Sequence, residues 1–210
     1  MSNHLLDTMR KSADLRKSEI IACALTLADR LGPDRVTTGA VAQAVGVTQA
    51  AIFRHFPSKA ALWQAIAALV SERLAQAWDA ALAQADTPLG RVTALVSAQL
   101  AQIEAMPAMP MLLFSRELNV KNAELRAMFR GRLAAFHGHL LVQIRDGQAA
   151  GLIRADLAPQ DGAVLLTSLV QGLAIRWALG ARDFPLAAEG RRLLAAQLAL
   201  FGVPAEQRGE

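Results

Sequence analysis

The segment of residues 37–59 reads TTGAVAQAVGVTQAAIFRHFPSK, and its spacing predicts two short helices joined by a tight turn. Val41 and Val45 are spaced to lie on one face of the first helix. Gly46 accepts the positive φ that such a turn requires. Ile52 of the second helix is placed to face back onto Val41 and Val45. This pattern is typical of a helix-turn-helix, which presents its second helix outward to DNA.

The distribution of charge also favours a nucleic-acid surface in this part of the chain. No Asp or Glu occurs between residues 35 and 71, whereas Arg35, Arg54 and Lys59 do. The first 59 residues carry 8 Lys and Arg against 5 Asp and Glu, and the remaining 151 carry 14 against 13. Most of the net charge of +4 therefore lies in the small N-terminal part, as contact with phosphates requires. The alternative is a solvated pair of helices that happens to lack acids.

Four stretches of this region carry a family resemblance. They are IIACAL at 20–25, VTT at 36–38, VAQAVGVT at 41–48 and IFRHFPSKAAL at 52–62. Through them, residues 15–69 resemble the N-terminal domain of the tetracycline-repressor-like (TetR) family of bacterial transcription regulators. The rest of the chain is similar to the family only in length and helical pattern. The resemblance implies a three-helix DNA-binding domain followed by a helical domain that binds a small effector and dimerises.

Helical periodicity along the whole chain predicts an all-α protein of about nine helices. The predicted helices cover residues 12–31, 38–45, 49–56, 58–85, 88 onward, 114–120, 122–150, 159–179 and 185–201. The predicted organisation is a flexible N-terminal arm at 1–11, the helix-turn-helix DNA-binding domain at 12–58, an effector-binding and dimerisation domain at 59–203, and a flexible tail at 204–210.

The composition bounds the class of protein. With 53% hydrophobic and 19% charged residues, the chain has enough apolar side chains for a large core and for a dimer interface or an internal apolar pocket. The single cysteine, Cys23, excludes an intramolecular disulfide and fits a reducing cytoplasm. We expect no signal peptide, and the uncharged stretch 162–175 is shorter than the ~18–20 apolar residues of a membrane span. The expected location is the cytoplasm, in association with the nucleoid and not with a membrane.

The second helix of the motif carries the residues that would read base edges. Gln49 is the strongest candidate, since an amide pairs bidentately with adenine, and Ala50 offers a methyl group to thymine. Thr48 either reaches the DNA or only caps the helix. Arg54 lies late in the helix, which favours phosphate over guanine. The resemblance adds phosphate contacts, so that the predicted DNA-contact set is Thr37, Thr38, Thr48, Gln49, Ala50, Phe53, Arg54, His55 and Lys59.

Two positions depart from the family pattern. Phe53 stands where the family usually has a tyrosine, so the hydroxyl that would contact phosphate is missing. Gly39 stands where some members carry a side chain that reads bases. The operator sequence is therefore not predictable. For His55, packing under the third helix is the alternative to a phosphate contact, and for Lys59 it is simple solvation.

The C-terminal part offers candidates for an effector pocket and a dimer interface. Methionines and a phenylalanine cluster beside Pro107 and Pro110, which suits an adaptable apolar pocket as well as an ordinary core. The effector candidates are Trp78, Met106, Met111, Phe114, Phe129, His137 and Trp177. The last two helices would form a four-helix bundle with a partner copy through Leu166, Leu169, Val170, Leu173, Leu194, Leu198 and Phe201. His137 and His139 are two residues apart and face different sides of a helix, so we predict no metal site and no cofactor.

These features predict a ligand-responsive transcriptional regulator, a repressor, that binds a palindromic DNA operator as a homodimer and is released by a small, apolar effector. The alternative is an architectural protein of the same fold that binds many DNA sites without an effector. We predict that the protein is not an enzyme, because the sequence contains no nucleophile–base pair, phosphate loop or metal-ligand spacing.

Overall fold

The computed structural model describes residues 2–115, 118, 120 and 122–202, without the side chains of residues 2–12 and of Phe114. Within these residues the chain forms nine α-helices and no strand. They are α1 (Ser2–Leu31), α2 (Thr38–Val45), α3 (Gln49–His55), α4 (Lys59–Ala83), α5 (Pro88–Ala105), α6 (Met109–Phe114), α7 (Ala123–Ala149), α8 (Pro159–Leu179) and α9 (Leu186–Phe201). A 3-10 turn at Pro33–Arg35 follows α1. The predicted all-α fold is confirmed.

The largest differences from the predicted helices lie near the N-terminus and around residue 110. α1 begins at Ser2 and so includes most of the segment predicted as a flexible arm, while the predicted tail lies outside the described residues. A short helix that the sequence did not predict, α6, runs from Met109 to Phe114, and the helix predicted at 114–120 falls largely outside the described residues. Pro110 does not prevent α6 from forming, because it occupies the first turn of α6, where its missing N–H has no intrahelical partner to lose.

The chain divides into two compact units. The first unit comprises residues 1–70 and 111–129, and the second comprises residues 71–110 and 130–210. α4 and α7 each contribute residues to both units. The first unit therefore holds the helix-turn-helix together with a segment from the middle of the chain, which the predicted boundary at residue 58 did not include.

The core of the first unit grows from one stripe of α1. Ile20, Ala24 and Ala28 recur at helical spacing and are fully buried, as are Val41 of α2 and Ile52 of α3. The predicted inward positions Val41 and Ile52 are thus part of this core, while Val45 is half-buried. Cys23 lies beside this stripe, and burial raises the pKa of its thiol. A raised pKa disfavours the reactive thiolate, consistent with a packing role for Cys23.

The second unit is built around α5, α8 and α9. Leu95, Val96 and Leu100 of α5 are fully buried. α9 crosses α5 closely at Gly190, where an added Cβ would lie 2.1 Å from Leu100 Cδ1 and 3.8 Å from Leu173 Cδ1. Only glycine leaves room for this approach, so Gly190 fixes how α9 seats on α5 and α8.

α8 alone among the described helices is long and apolar enough to span a membrane by length and composition, with 21 residues and a mean hydropathy of 1.4 over its best window. The helix is longer than the uncharged stretch 162–175, because it also includes Asp161 and Arg176 on either side of that stretch. Of that window, 44% is buried inside the chain, and α8 packs against α5 and α9. A helix in the core of a protein can have the same length and hydropathy as a membrane-spanning one. The packing of α8 against α5 and α9 is that of a core helix.

A capping interaction joins α5 to the start of α9. The N-cap residue of α9, Pro185, makes no side-chain cap hydrogen bond, but the backbone N–H of Leu186 donates to Glu104 Oε1 of α5 at 3.0 Å. A carboxylate at this point satisfies a free N–H group and interacts favourably with the helix dipole. Glu104 therefore has a long-range structural role that its position in the sequence does not indicate.

We expect Glu104→Ala to lower the free energy of unfolding by about 0.5–2 kcal/mol, the range measured for lost helix caps. Urea unfolding followed by circular dichroism measures this. The matched control is Glu72→Ala, since Glu72 is exposed on α4 and accepts a hydrogen bond only from Gln76 of its own helix among the contacts described. The capping role would be contradicted if both variants lost the same small amount.

Candidate DNA-binding and effector sites

Both short helices of the motif begin and end with local hydrogen bonds. Thr37 caps α2, its Oγ1 accepting from the Ala40 N–H at 3.1 Å. α2 ends at Gly46, whose φ of 77° and ψ of 36° are left-handed, as the sequence predicted. The Val47 N–H then donates to the Ala42 carbonyl at 3.0 Å. This pair of backbone features fixes the sharp turn from which α3 departs.

The start of α3 is tied to the start of α2. Thr48 caps α3, its Oγ1 accepting from the Ala51 N–H at 3.2 Å. Gln49 Nε2 donates to Thr38 Oγ1 at 2.8 Å. Thr38 is only 9% exposed, so its side chain is turned inward. Gln49 thus has a structural role that the sequence did not indicate, although its side chain remains exposed at the first position of α3.

The outer surface of α3 is open to solvent. We call Gln49, Ala50, Phe53 and Arg54 the α3 face, since all four are exposed, whereas Ile52 on the opposite side is fully buried. Phe53 has 42% of its surface exposed. An exposed aromatic ring beside an exposed amide and an arginine is an arrangement suited to contact with another macromolecule.

The other predicted DNA contacts lie at the borders of this surface. Thr37 and Thr48 are exposed at the N-termini of α2 and α3. His55 and Lys59 are half-buried at the end of α3 and the start of α4. Ser58 caps α4, its Oγ accepting from the Ala61 N–H at 3.0 Å. The predicted DNA contacts therefore include residues at or near the N-termini of α2, α3 and α4. The free N–H groups at a helix N-terminus attract phosphate.

Within the second unit, Trp78 of α4 is the centre of an aromatic and polar group. Its ring lies 5.3 Å from the ring of Phe136 and 5.8 Å from that of His139, centroid to centroid. The Arg132 guanidinium carbon lies 5.8 Å from the centre of the Trp78 ring. Trp78 Nε1 donates to Gln99 Oε1 of α5 at 2.9 Å. We call these five residues the Trp78 cluster.

The remaining effector candidates do not all join this group. Met106 and Trp177 are buried in the second unit, but Met111, 41% exposed, and the half-buried Phe129 belong to the first. The side chain of Phe114 lies outside the described ones. The histidine beside Trp78 is His139 and not the predicted His137, which faces another side of α7. Sequence reasoning missed Arg132 and Phe136, although their spacing with His139 marks one helix face.

The predicted dimer residues lie on the expected helices but largely on their inner faces. Leu166, Val170, Leu173, Leu194 and Phe201 are at most 4% exposed within the single chain, and Leu169 and Leu198 are half-buried. The five buried ones lie in the core of the single chain, and the assignment of the whole set to a dimer interface stays a prediction. The exposed large apolar side chains of these helices are Val164, Leu165, Leu179 and Leu200, between 44% and 78% exposed.

Comparison with protein families gives two matches. A family model described as bacterial regulatory proteins of the tetR family matches residues 20–66. A second, described as the C-terminal part of the BetI-type transcriptional repressor, matches residues 88–202, which is more than half of the chain.

Several curated relatives carry the name nucleoid occlusion factor SlmA, and two of them show the extent of the similarity. The protein from Vibrio vulnificus (strain YJ016) is 31% identical over 116 residues, which is 55% of this chain and 59% of the relative. The protein from Shewanella halifaxensis (strain HAW-EB4) is 28% identical over 148 residues, 68% of this chain and 75% of the relative. The chain thus spans 59% of the length of the Vibrio relative that it matches.

Solved structures share the fold. The ketosteroid transcriptional regulator KstR2 of Mycobacterium tuberculosis has a TM-score of 0.77 at 16% identity, with 90% of this chain and 95% of that chain covered. A putative regulator from Saccharomonospora viridis, in complex with choline, has a TM-score of 0.77 at 22% identity, with 89% and 96% covered. Together with the family models and the helix-turn-helix geometry, these findings show that the chain belongs to the TetR family of DNA-binding transcriptional regulators.

Proposed function

We propose that this regulator is a repressor that binds a palindromic operator as a homodimer and is released by a small effector with an apolar body. The observation that carries the proposal is the exposed α3 face at the capped N-terminus of α3, within a segment that has no acidic residue from 35 to 71. The match of residues 88–202 to a repressor family supports the direction of regulation.

In the proposed complex α3 lies in the major groove. Gln49 pairs with an adenine edge, Ala50 contacts a thymine methyl group, and Phe53 packs on sugar or on thymine. The phosphates are held from the borders of the α3 face by Thr37, Thr48, Arg54, His55 and Lys59, with the helix N-termini adding N–H donors. Thr38, being buried, acts by holding the Gln49 amide.

Dimerisation completes the reading of a palindrome. One α3 reaches only a few base pairs, and two copies related by a two-fold axis read half-sites separated by about one turn of DNA or more. The exposed apolar residues Val164 and Leu165 of α8, with Leu179 and Leu200, form the surface that we assign to this contact. The buried leucines beneath them hold the helices in place.

Release follows from linkage between the two ligands. The effector prefers one state of the dimer and the operator prefers another, so each weakens binding of the other by a coupling of about 1–3 kcal/mol. The protein would then act in the cytoplasm at its operator on the nucleoid.

We expect Leu165→Glu to convert the dimer to a monomer and to lower operator affinity by about 100-fold or more, because a charge in an apolar contact is left without a partner. Sedimentation velocity and operator binding measure the two effects. Leu133→Glu is the matched control, since Leu133 on α7 is 44% exposed, as Leu165 is, and lies outside α8 and α9. Dimers of Leu165→Glu that bind the operator normally would contradict the assigned interface.

The similarity to SlmA favours a second candidate, a DNA-binding protein that occupies many sites and acts on the nucleoid without an effector. The two functions differ in what binds inside the second unit. A ligand that binds there and changes DNA affinity supports the repressor, whereas many genomic sites without any such ligand support the second candidate.

A further inference from the structure

Two buried polar atoms at or beside the Trp78 cluster have no hydrogen-bond partner among the described residues. They are Nε of Arg132 and Oε1 of Gln143. Gln143 is only 6% exposed, and Trp78 and Phe136 are 2% and 4% exposed. Buried polar groups in native proteins are almost always paired with protein or with bound water, so these two atoms need a partner that the described residues do not supply, a water or a ligand.

The two atoms share one helix face with the aromatic rings. Arg132, Phe136, His139 and Gln143 follow one another on α7 at intervals of four, three and four residues, the spacing of a single face. Arg132, Phe136 and His139 all meet Trp78 from this face. Gln143 stands one turn beyond His139. The buried aromatic rings thus lie along a helix face that carries an unpaired donor at one end and an unpaired amide oxygen at the other.

The charge of the Trp78 cluster favours a negatively charged ligand over a positively charged one. Arg132 is a permanent cation, and no carboxylate among the described residues lies within ion-pair distance of it. Its guanidinium also occupies the region over the Trp78 ring that a cationic ligand would use. A quaternary ammonium ion would therefore meet repulsion, whereas a carboxylate would gain a charge-assisted hydrogen bond.

We propose that the Trp78 cluster is the effector site and that the effector is an organic carboxylate with an apolar, ring-bearing or aliphatic body. The carboxylate accepts from Arg132 Nε, the body packs on the Trp78 and Phe136 rings, and a polar group at the far end of the ligand donates to Gln143 Oε1. This assignment rests on the proposed function, because it gives the chemistry of the effector of that repressor. It also separates this chain from the Saccharomonospora viridis relative, whose solved complex contains choline.

The test compares three ligands of different charge by calorimetry on the full-length protein: phenylpropanoate, its neutral amide phenylpropanamide, and choline. We expect phenylpropanoate to bind about 10- to 100-fold more tightly than the amide, the range for a buried charge-assisted hydrogen bond, and choline not to bind. Quenching of tryptophan fluorescence should accompany the binding of the carboxylate. Choline binding as tight as that of phenylpropanoate would overturn the proposal, and so would the failure of phenylpropanoate to saturate the protein at about 5 mM.

Variants tie the selectivity to the cluster. Arg132→Met should remove the preference for the carboxylate over the amide, and Arg132→Lys, which keeps the charge without the Nε donor, should retain part of it. Arg145→Met is the control, because Arg145 is exposed on the same helix. A carboxylate preference that survives in full in folded Arg132→Met protein would show that buried water, and not the ligand, satisfies Arg132.

The two proposals fail in different ways. If phenylpropanoate binds through Arg132 but leaves operator affinity unchanged, the site assignment stands and ligand-controlled release fails. If the protein binds DNA specifically as a dimer but no carboxylate binds, the proposed operator binding stands. The assignment of the effector site is then wrong.

Discussion

The variant Gln49→Ala should bind a palindromic operator at least about 30-fold more weakly than the wild type, because each of two half-sites loses a bidentate base contact of about 1–3 kcal/mol. Fluorescence anisotropy at a fixed salt concentration measures the change. Gln43→Ala is the matched control, since Gln43 is an exposed glutamine on α2 of the same motif, outside the α3 face. Its affinity should stay within about threefold of the wild type.

The hydrogen bond from Gln49 to Thr38 requires a second comparison. Thr38→Val removes the acceptor of that bond but leaves the Gln49 amide in place. If Gln49 only holds α3 against α2, the Thr38→Val, Gln49→Ala and double variants should lose the same affinity. If Gln49 reads a base, Gln49→Ala should lose more than Thr38→Val, and the excess should appear at particular base pairs. Equal losses in all three variants would contradict direct reading by Gln49.

The largest effect on stability is expected at Gly190. Gly190→Val should lower the free energy of unfolding by about 1–3 kcal/mol or more, because its side chain would overlap the buried Leu100 and force α9 away from α5. Urea unfolding measures the loss. Gly131→Val is the matched control, since an added Cβ at this α7 position meets nothing within 4 Å. That variant should stay within about 0.5 kcal/mol of the wild type. Equal unfolding free energies for both variants would contradict the close crossing at Gly190.

The helix-turn-helix could be predicted from the sequence because its determinants are local. The bounds of α2 at Thr38–Val45 and the left-handed conformation of Gly46 match the prediction, and α3 ends one residue earlier than expected. Caps, a turn glycine and inward aliphatic residues all act within a few positions along the chain. These local determinants act in the same way in different tertiary surroundings, so they can be recognised in the sequence.

The second unit was harder to predict because its features depend on tertiary packing. Periodicity marks Leu165 and Leu166 equally as apolar, but only packing against α5 and α9 decides that Leu166 is buried and Leu165 is exposed. The Trp78 cluster joins residues of α4, α5 and α7 that are far apart in sequence, and Arg132 looks like a surface residue from composition alone. The bond from Leu186 to Glu104 spans 82 positions for the same reason.

The most direct test of the central claim is a footprint of the purified protein on DNA from around its own gene, titrated with salt and repeated with Gln49→Ala. We predict a discrete palindromic footprint occupied by two copies, with protection that Gln49→Ala weakens at defined base pairs in both half-sites. Protection that spreads over any DNA, disappears at moderate salt and is the same for Gln49→Ala would contradict a sequence-specific dimeric regulator.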